Sequence, residues 1–233
     1  MTDQFNHPPY RSGAASLEPP FASPASPAMP SRRQFLMVTG GASAAMALAA
    51  CSSNSDTTPP PPTAVVTLPL QSDTDILKFA LFLELLESDF YNKAVASGVL
   101  SGGVAALAAS VKAHENTHVG ALQSALGTAA FHASDVSFDF GASLATQASF
   151  LATAQTLEET GVSAYLGALG SIQSRALRVT AGSIFTIEAR HAAAFRAYNN
   201  NATGPVPAAF EVPKTPAQIV AIVQGTGFVK KGL

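Results

Sequence analysis

The stretches ELLESDFY at residues 84–91 and ENTH at residues 115–118 return later in the chain as EETGVSAY at residues 158–165 and EARH at residues 188–191. In both copies a leading Glu precedes a Tyr by seven positions, and a second Glu precedes a His by three. The two Glu lie 31 positions apart in the first copy and 30 in the second. Eight Glu and five His in 233 residues would give about 0.2 Glu-x2-His pairs by chance. The chain therefore contains an internal repeat.

The spacing within each copy is helical. Three positions on an α-helix turn about 300° and rise about 4.5 Å, so the Glu and the His of each pair share one face. Seven positions return almost to the starting angle, which places each Tyr on the stripe of its leading Glu. Four carboxylates and two imidazoles from four helices are the side chains of a dimetal site in a bundle core. The candidate metal ligands are Glu84, Glu115, His118, Glu158, Glu188 and His191, and the candidate hydrogen-bond donors to them are Tyr91 and Tyr165.

Capping signals and apolar periodicity predict an all-α chain with four long helices. We expect these helices over residues 73–97, 102–126, about 143–169 and about 172–198. Residues 128–141 are too many for a tight turn, so we expect a long crossover between the second and third helices. Thr215-Pro216 is a start signal for a short C-terminal helix over residues 217–224.

Two of these segments resemble a known family. The run ILKFALFLELLESDFY at residues 76–91 and the run HENTHV at residues 114–119 are similar to the ferritin-like domain of desiccation-associated proteins, a branch of the ferritin, rubrerythrin and bacterioferritin superfamily. The resemblance covers about residues 73–198 and implies a ferritin-like four-helix bundle with two Fe or Mn ions. No rubredoxin-like Cys cluster is present, so the chain is not a complete rubrerythrin. The resemblance implies terminal ligands Glu84 and Glu158, bridging carboxylates Glu115 and Glu188, and imidazole ligands His118 and His191.

The choice of the terminal ligands has an alternative. Glu84 and Glu158 are preferred over the neighbouring Glu87 and Glu159 because only the first two precede a Tyr by seven positions. Two other histidines, His114 and His132, are expected at the surface or in the crossover. Burying four ionised carboxylates together costs several kcal/mol for each unpaired charge, and two divalent cations would balance that charge of −4.

The N-terminus carries two export signals in sequence. SRRQFL at residues 31–36, with Arg32 and Arg33, matches a twin-arginine signal and is followed by an Ala-rich apolar run. LAAC at residues 48–51 matches a lipoprotein cleavage box, with Cys51, the one Cys in the chain, as the residue to be lipidated. The alternative is an uncleaved signal anchor, although the apolar run barely reaches the roughly 20 residues that a spanning helix needs. The predicted organisation is a signal peptide at residues 1–50, a Ser/Pro-rich tether at 51–70, the bundle at 71–200, and a tail with the short helix at 201–233.

These signals predict where the protein works and what handles it. We expect the twin-arginine export machinery and lipoprotein-processing enzymes as partners, and a lipid-anchored protein in the bacterial periplasm. Ser52 after the lipidated Cys favours the outer membrane by resemblance to bacterial lipoproteins.

Composition limits the remaining classes of function. From Cys51 onward the chain has 10 Lys and Arg against 13 Asp and Glu, a net charge of −3, so no basic patch favours nucleic acid. Ala-rich helix faces such as residues 192–194 favour packing against a second copy, which makes a homodimer plausible. No phosphate-binding loop, CxxC pair or nucleophile motif is present in the sequence.

Three functions agree with these residues. The favoured one is a dinuclear Fe or Mn protein that reacts with oxygen or peroxide in oxidative or desiccation stress defence. The others are metal sequestration without turnover and a non-catalytic protective role. Fold analogy does not choose among them, so whether the protein is an enzyme stays open at this point.

The lipoprotein interpretation predicts the outcome of one substitution. Cys51→Ala removes the thiol that would carry the lipid, so metabolic labelling with a radioactive fatty acid should label the wild-type protein and leave the variant unlabelled. Equal labelling of both proteins would show that Cys51 is not the lipidated residue.

Overall fold

The computed structural model of the protein describes residues 64–200 and 202–233. The five α-helices of this part are α1 (Asp73–Ala96), α2 (Gly102–Leu126), α3 (Gln147–Leu169), α4 (Arg175–Tyr198) and α5 (Pro216–Gly225). The predicted all-α bundle with a long crossover and a short C-terminal helix is therefore confirmed. Arg32, Arg33, Cys51 and the signal peptide lie outside the described residues, as does most of the tether. In the described part of the chain, no helix combines the length and the apolar character that crossing a membrane requires.

Side-chain caps mark where helices α1 and α3 begin. The Ser72 hydroxyl accepts a hydrogen bond from the Asp75 backbone N–H, as expected for the start of α1. Helix α3 begins at Gln147 rather than at about residue 143, because residues 141–144 form a 3-10 turn and the Thr146 hydroxyl caps the helix.

Helix α4 begins at Arg175, three residues later than expected. Its cap is Ser174, whose hydroxyl accepts a hydrogen bond from the Leu177 N–H. The preceding turn is held by Asp73 at the start of α1, whose carboxylate accepts hydrogen bonds from the backbone N–H groups of Gln173 at 2.7 Å and Ser174 at 2.8 Å. A contact across the bundle therefore shortens α4.

The helices pack in two pairs. Helix α1 packs mainly against α2, and α3 packs mainly against α4. Short connections at residues 97–101 and 170–174 join the members of each pair, and residues 127–146 cross from one pair to the other. This is the connectivity expected from the sequence.

The crossover and the tail form a small sheet that the sequence analysis did not predict. Strand β1 (Ser137–Phe138) pairs antiparallel with β2 (Val229–Lys231), which ties the end of the chain to the crossover. Strands of two and three residues are too short to show an alternating pattern in the sequence.

Aromatic side chains hold the two helix pairs together. Phe90 of α1 and Phe150 of α3 stack with ring centroids 5.4 Å apart, and both are fully buried. Tyr91 of α1 lies beside Phe195 of α4, with centroids 6.0 Å apart. This packing fixes the position of the Tyr91 ring close to the middle of the bundle.

The C-terminal segment packs along α3. The Lys214 backbone N–H donates to the Ser163 carbonyl oxygen at 3.1 Å, and Lys214 Nζ donates to Ser163 Oγ at 2.8 Å. Gly167 permits this approach, because a Cβ at that position would collide with the Lys214 carbonyl oxygen. Helix α5 then buries Ile219 and Val223 against the bundle.

Candidate metal centre

All six predicted metal ligands lie in one buried cluster in the middle of the bundle. The four Glu are between 0 % and 1 % exposed, and the two His are at most 8 % exposed. Their ligand atoms form two groups, each within 4.8 Å: Glu84, Glu115, His118 and Glu188 in one, and Glu115, Glu158, Glu188 and His191 in the other. Glu115 and Glu188 belong to both groups. The two groups of ligand atoms therefore adjoin, share two carboxylates and are compatible with metal binding.

The two tyrosines connect the two copies of the repeat. Tyr165 Oη of α3 donates to Glu84 Oε1 of α1 at 2.5 Å. In the other direction, Tyr91 Oη of α1 donates to Glu158 Oε1 of α3. Burial and the neighbouring carboxylates, Glu158 for Tyr91 and Glu84 for Tyr165, raise the pKa of each phenol well above its usual range. Both hydroxyls therefore keep their protons and act as donors that orient the terminal carboxylates.

Both histidines direct Nδ1 towards the carboxylates. His118 Nδ1 lies 3.1 Å from Glu115 Oε2 and 3.2 Å from Glu84 Oε2. His191 Nδ1 lies 3.0 Å from Glu158 Oε2. Burial disfavours the charged imidazolium, but the surrounding carboxylates outweigh burial and raise the pKa of His118 to about 12 and that of His191 to about 10. In the metal-free chain the two imidazolium groups partly balance the carboxylate charge.

Burial also shifts the carboxyl groups. Burial, supported by the charge of Glu115, raises the pKa of Glu84 to about 7. Burial and the charge of Glu158 raise the pKa of Glu188 well above its ordinary value, and burial raises that of Glu158 as well. Each of these groups holds a proton more tightly in the folded chain than in water.

Three carboxylate oxygens at the centre accept no hydrogen bond from any described residue. They are Glu115 Oε1 and both oxygens of Glu188. His191 Nδ1 is 3.1 Å from Glu115 Oε1, and His118 Nδ1 is 3.3 Å from Glu188 Oε1; both contacts permit charge attraction but do not have hydrogen-bond geometry. Glu188 Oε2 has neither kind of contact with a described residue. A buried acceptor without a partner costs about 1–3 kcal/mol, so native structures rarely retain one. Cations at the two positions would satisfy these oxygens, and oxygen and imidazole ligands suit Fe and Mn.

The alternatives to Glu84 and Glu158, namely Glu87 and Glu159, lie outside the two groups of ligand atoms. Glu159 lies at the edge of the bundle, where Arg196 Nε donates to its Oε1 at 2.7 Å. Glu87 is buried, but it belongs to neither group of ligand atoms. A Cβ on Gly161 would lie 3.4 Å from Glu87 Oε1 and 2.9 Å from Glu188 Oε2, so the absence of a side chain there leaves room for both carboxylates. Glu87 is thus a fifth buried carboxylate beside the cluster.

His114 has a role that the sequence analysis did not predict. Its ring is exposed as expected, but His114 Nδ1 lies 2.8 Å from His191 Nε2. The two rings lie edge to edge in nearly one plane, with centroids 5.1 Å apart and an angle of 8° between their planes. The available signal was its spacing, because His114 lies four positions before His118 and so on the same side of α2. His132 lies in the crossover, at the start of a 3-10 turn, as expected.

A comparison with known families agrees with this architecture. Residues 72–201 match the family model described as a ferritin-like domain, a segment that contains the four long helices and all six cluster residues. A search of curated proteins found no match to the chain. The buried Glu and His cluster is compatible with a metal-binding site. Because the family model covers more than half of the 233 residues, the chain belongs to the ferritin-like domain family.

Proposed function

We propose that the protein holds two Fe or Mn ions in the buried cluster. The observation that carries this proposal is Glu188, whose two buried oxygens accept no hydrogen bond from the described residues although its carboxylate belongs to both groups of ligand atoms. Two divalent cations bring a charge of +4 against the four Glu carboxylates, which removes the repulsion between them. Glu115 and Glu188 would bridge the ions, while Glu84 with His118 and Glu158 with His191 would complete the two positions.

The residues around the cluster would prepare it for redox chemistry. When bound, a pair of redox-active ions would supply electrons to dioxygen or peroxide. Tyr91 and Tyr165 hold the terminal carboxylates in place through hydrogen bonds, and their high pKa values keep these donors protonated. Phe90, Phe150 and Phe195 are fully buried and pack around the ring of Tyr91, the donor to Glu158.

We further propose that this chemistry serves oxidative or desiccation stress defence outside the cytoplasm. The support is the order of motifs at the N-terminus, where Arg32-Arg33 precedes the apolar run and the Cys51 cleavage box. In this proposal the signal peptide directs twin-arginine export, and the lipid on Cys51 anchors the folded domain in the periplasm, at the outer membrane. Metal sequestration and a non-catalytic protective role are the alternatives that the experiments below separate.

The first prediction concerns metal content. Protein purified from the cell should contain about two Fe or Mn ions per chain by elemental analysis. Glu188→Gln removes one shared ligand while keeping the side-chain shape, so the content should fall at both positions. Glu159→Gln is the matched control, because Glu159 pairs with Arg196 away from the cluster and its loss should leave the content unchanged. A Glu188→Gln variant with full metal content would refute the bridging assignment.

The second prediction concerns pH. The folded pKa values of Glu84, His118 and His191, about 7, 12 and 10, lie above the ordinary values of 4.5 for Glu and 6.5 for His. The folded metal-free chain therefore binds more protons than the unfolded chain, and these protons stabilise it fully below the ordinary values. This stabilisation is lost as the pH rises through the folded values, so the free energy of unfolding should fall from about pH 4.5 to about pH 12.

The metal-loaded chain should show the opposite trend. Metal ions need deprotonated ligands, so their affinity and the stability that they add increase with pH. Calorimetry should therefore give a difference in Tm between the Mn²⁺-loaded and the chelated protein that widens from about pH 6 to about pH 9. A difference that stays constant or narrows would contradict the assignment of these groups as ligands.

The third prediction separates the three functions. Protein loaded with Fe²⁺ should consume oxygen or hydrogen peroxide in proportion to its metal content, measured with an oxygen electrode or a peroxide assay. Sustained removal of peroxide in the presence of a reductant indicates an enzyme. Accumulation of many Fe ions per chain indicates storage. Neither behaviour, in a protein that contains two ions, indicates a protective role.

A further inference from the structure

The two halves of the cluster differ just outside the ligands. In the first copy of the repeat, His114 precedes the bridging Glu115, whereas Ile187 precedes the bridging Glu188 in the second. An imidazole can accept or donate a hydrogen bond, and an isoleucine side chain can do neither. The two halves therefore have the same ligands but different neighbours.

His114 contacts the nitrogen of His191 that faces away from the carboxylates. His191 directs Nδ1 towards Glu158 Oε2 at 3.0 Å, and its Nε2 lies 2.8 Å from His114 Nδ1. The two rings lie edge to edge in nearly one plane, with centroids 5.1 Å apart and 8° between their planes, which is the alignment that a hydrogen bond between ring nitrogens requires. Both nitrogens of His191 thus have defined partners, one inside the cluster and one at the surface of the bundle.

A neutral imidazole has one donor nitrogen and one acceptor nitrogen. If Nδ1 of His191 gives its lone pair to a cation, Nε2 must carry the hydrogen and needs an acceptor. His114 Nδ1 is in position to be that acceptor, with its own hydrogen on Nε2. The hydrogen bond would then select the His191 tautomer that can bind a cation and would keep the ring plane aligned.

We propose that His114 is a positioning residue for His191, and that it makes the two cation positions unequal. The inference rests on the proposed function, since it concerns ligands of the proposed ions. An acceptor on the outer nitrogen makes a ligating imidazole more basic and better oriented, and losing such a partner typically lowers metal affinity about 10-fold to 100-fold. The cation position that contains His191 has this acceptor in His114. In the other copy of the repeat, the residue equivalent to His114 is Ile187, which offers His118 no acceptor.

Two variants separate the hydrogen bond from the ring contact. His114→Phe keeps a planar aromatic ring at this position and removes the acceptor nitrogen. His114→Asn removes the ring and keeps an acceptor oxygen at the distance of Nδ1 from the backbone. Since His114 is exposed, circular dichroism should show the same helical content for both variants and the wild type.

The experiment is a titration of the metal-free full chain with Mn²⁺, in which electron paramagnetic resonance measures the free ion. The wild type should bind two ions. The Phe variant should bind one ion with unchanged affinity and the other about 10-fold to 100-fold more weakly, while the Asn variant should resemble the wild type. In the Zn²⁺-loaded wild type, ¹⁵N spectra should show His191 with its hydrogen on Nε2.

The contrary results are distinct. Two results would overturn the proposed hydrogen bond and leave the proposed function standing. One is a Phe variant that binds both ions as the wild type does. The other is an Asn variant weakened as much as the Phe variant. A His191 tautomer with hydrogen on Nδ1 in the loaded protein would do the same. Wild-type protein that binds no Mn²⁺ would overturn the proposed function, and this inference with it.

Discussion

Repulsion among carboxylates buried in the middle of the bundle is the constraint on which the other features depend. Glu84, Glu115, Glu158 and Glu188 come from four different helices and are nearly or fully buried. A buried charge without a counter-charge costs several kcal/mol, so a metal-free bundle must offset this repulsion with protons. Three features offset the repulsion: the charge of the imidazolium groups, the hydrogen bonds from the phenols, and the protons that the carboxyl groups with raised pKa values retain. Cations would replace these protons. The residues proposed to bind metal are therefore also residues with shifted pKa values.

The repeat makes the centre nearly symmetric, and its exceptions carry information. Glu87 follows Glu84 by three positions, and its counterpart after Glu158 is Gly161, whose missing side chain leaves the space beside Glu87 and Glu188. His114 and Ile187 are a second unequal pair. Both unequal pairs lie next to cluster residues, one position before a cluster Glu or three positions after one. Two ions held by the same types of ligand would thus have different electrostatic surroundings. Such a difference is required by any reaction in which the two ions act differently.

The sequence was sufficient to predict the helices and to select the cluster residues, because a 3.6-residue period and two matched Glu-x2-His pairs leave few arrangements. Other features depend on contacts between distant segments. The start of α4 is set partly by Asp73, about 100 positions earlier, and His114 is distinguished from a surface histidine only by its contact with His191. The pairing of residues 137–138 with 229–231 has no local signal in the sequence, because strands of two and three residues are too short to show an alternating pattern of apolar and polar side chains.

The centre also determines how the helix pairs are joined. Packing within each pair is extensive, whereas α1 and α3 meet over a smaller surface. Across that surface, Tyr91 donates to Glu158 and Tyr165 donates to Glu84, so each tyrosine of one pair is bonded to a ligand of the other. Bridging carboxylates from α2 and α4 would add a second connection through the ions. Binding of the proposed ions would therefore be coupled to the association of the two helix pairs, and loading the centre would stabilise the interface between them.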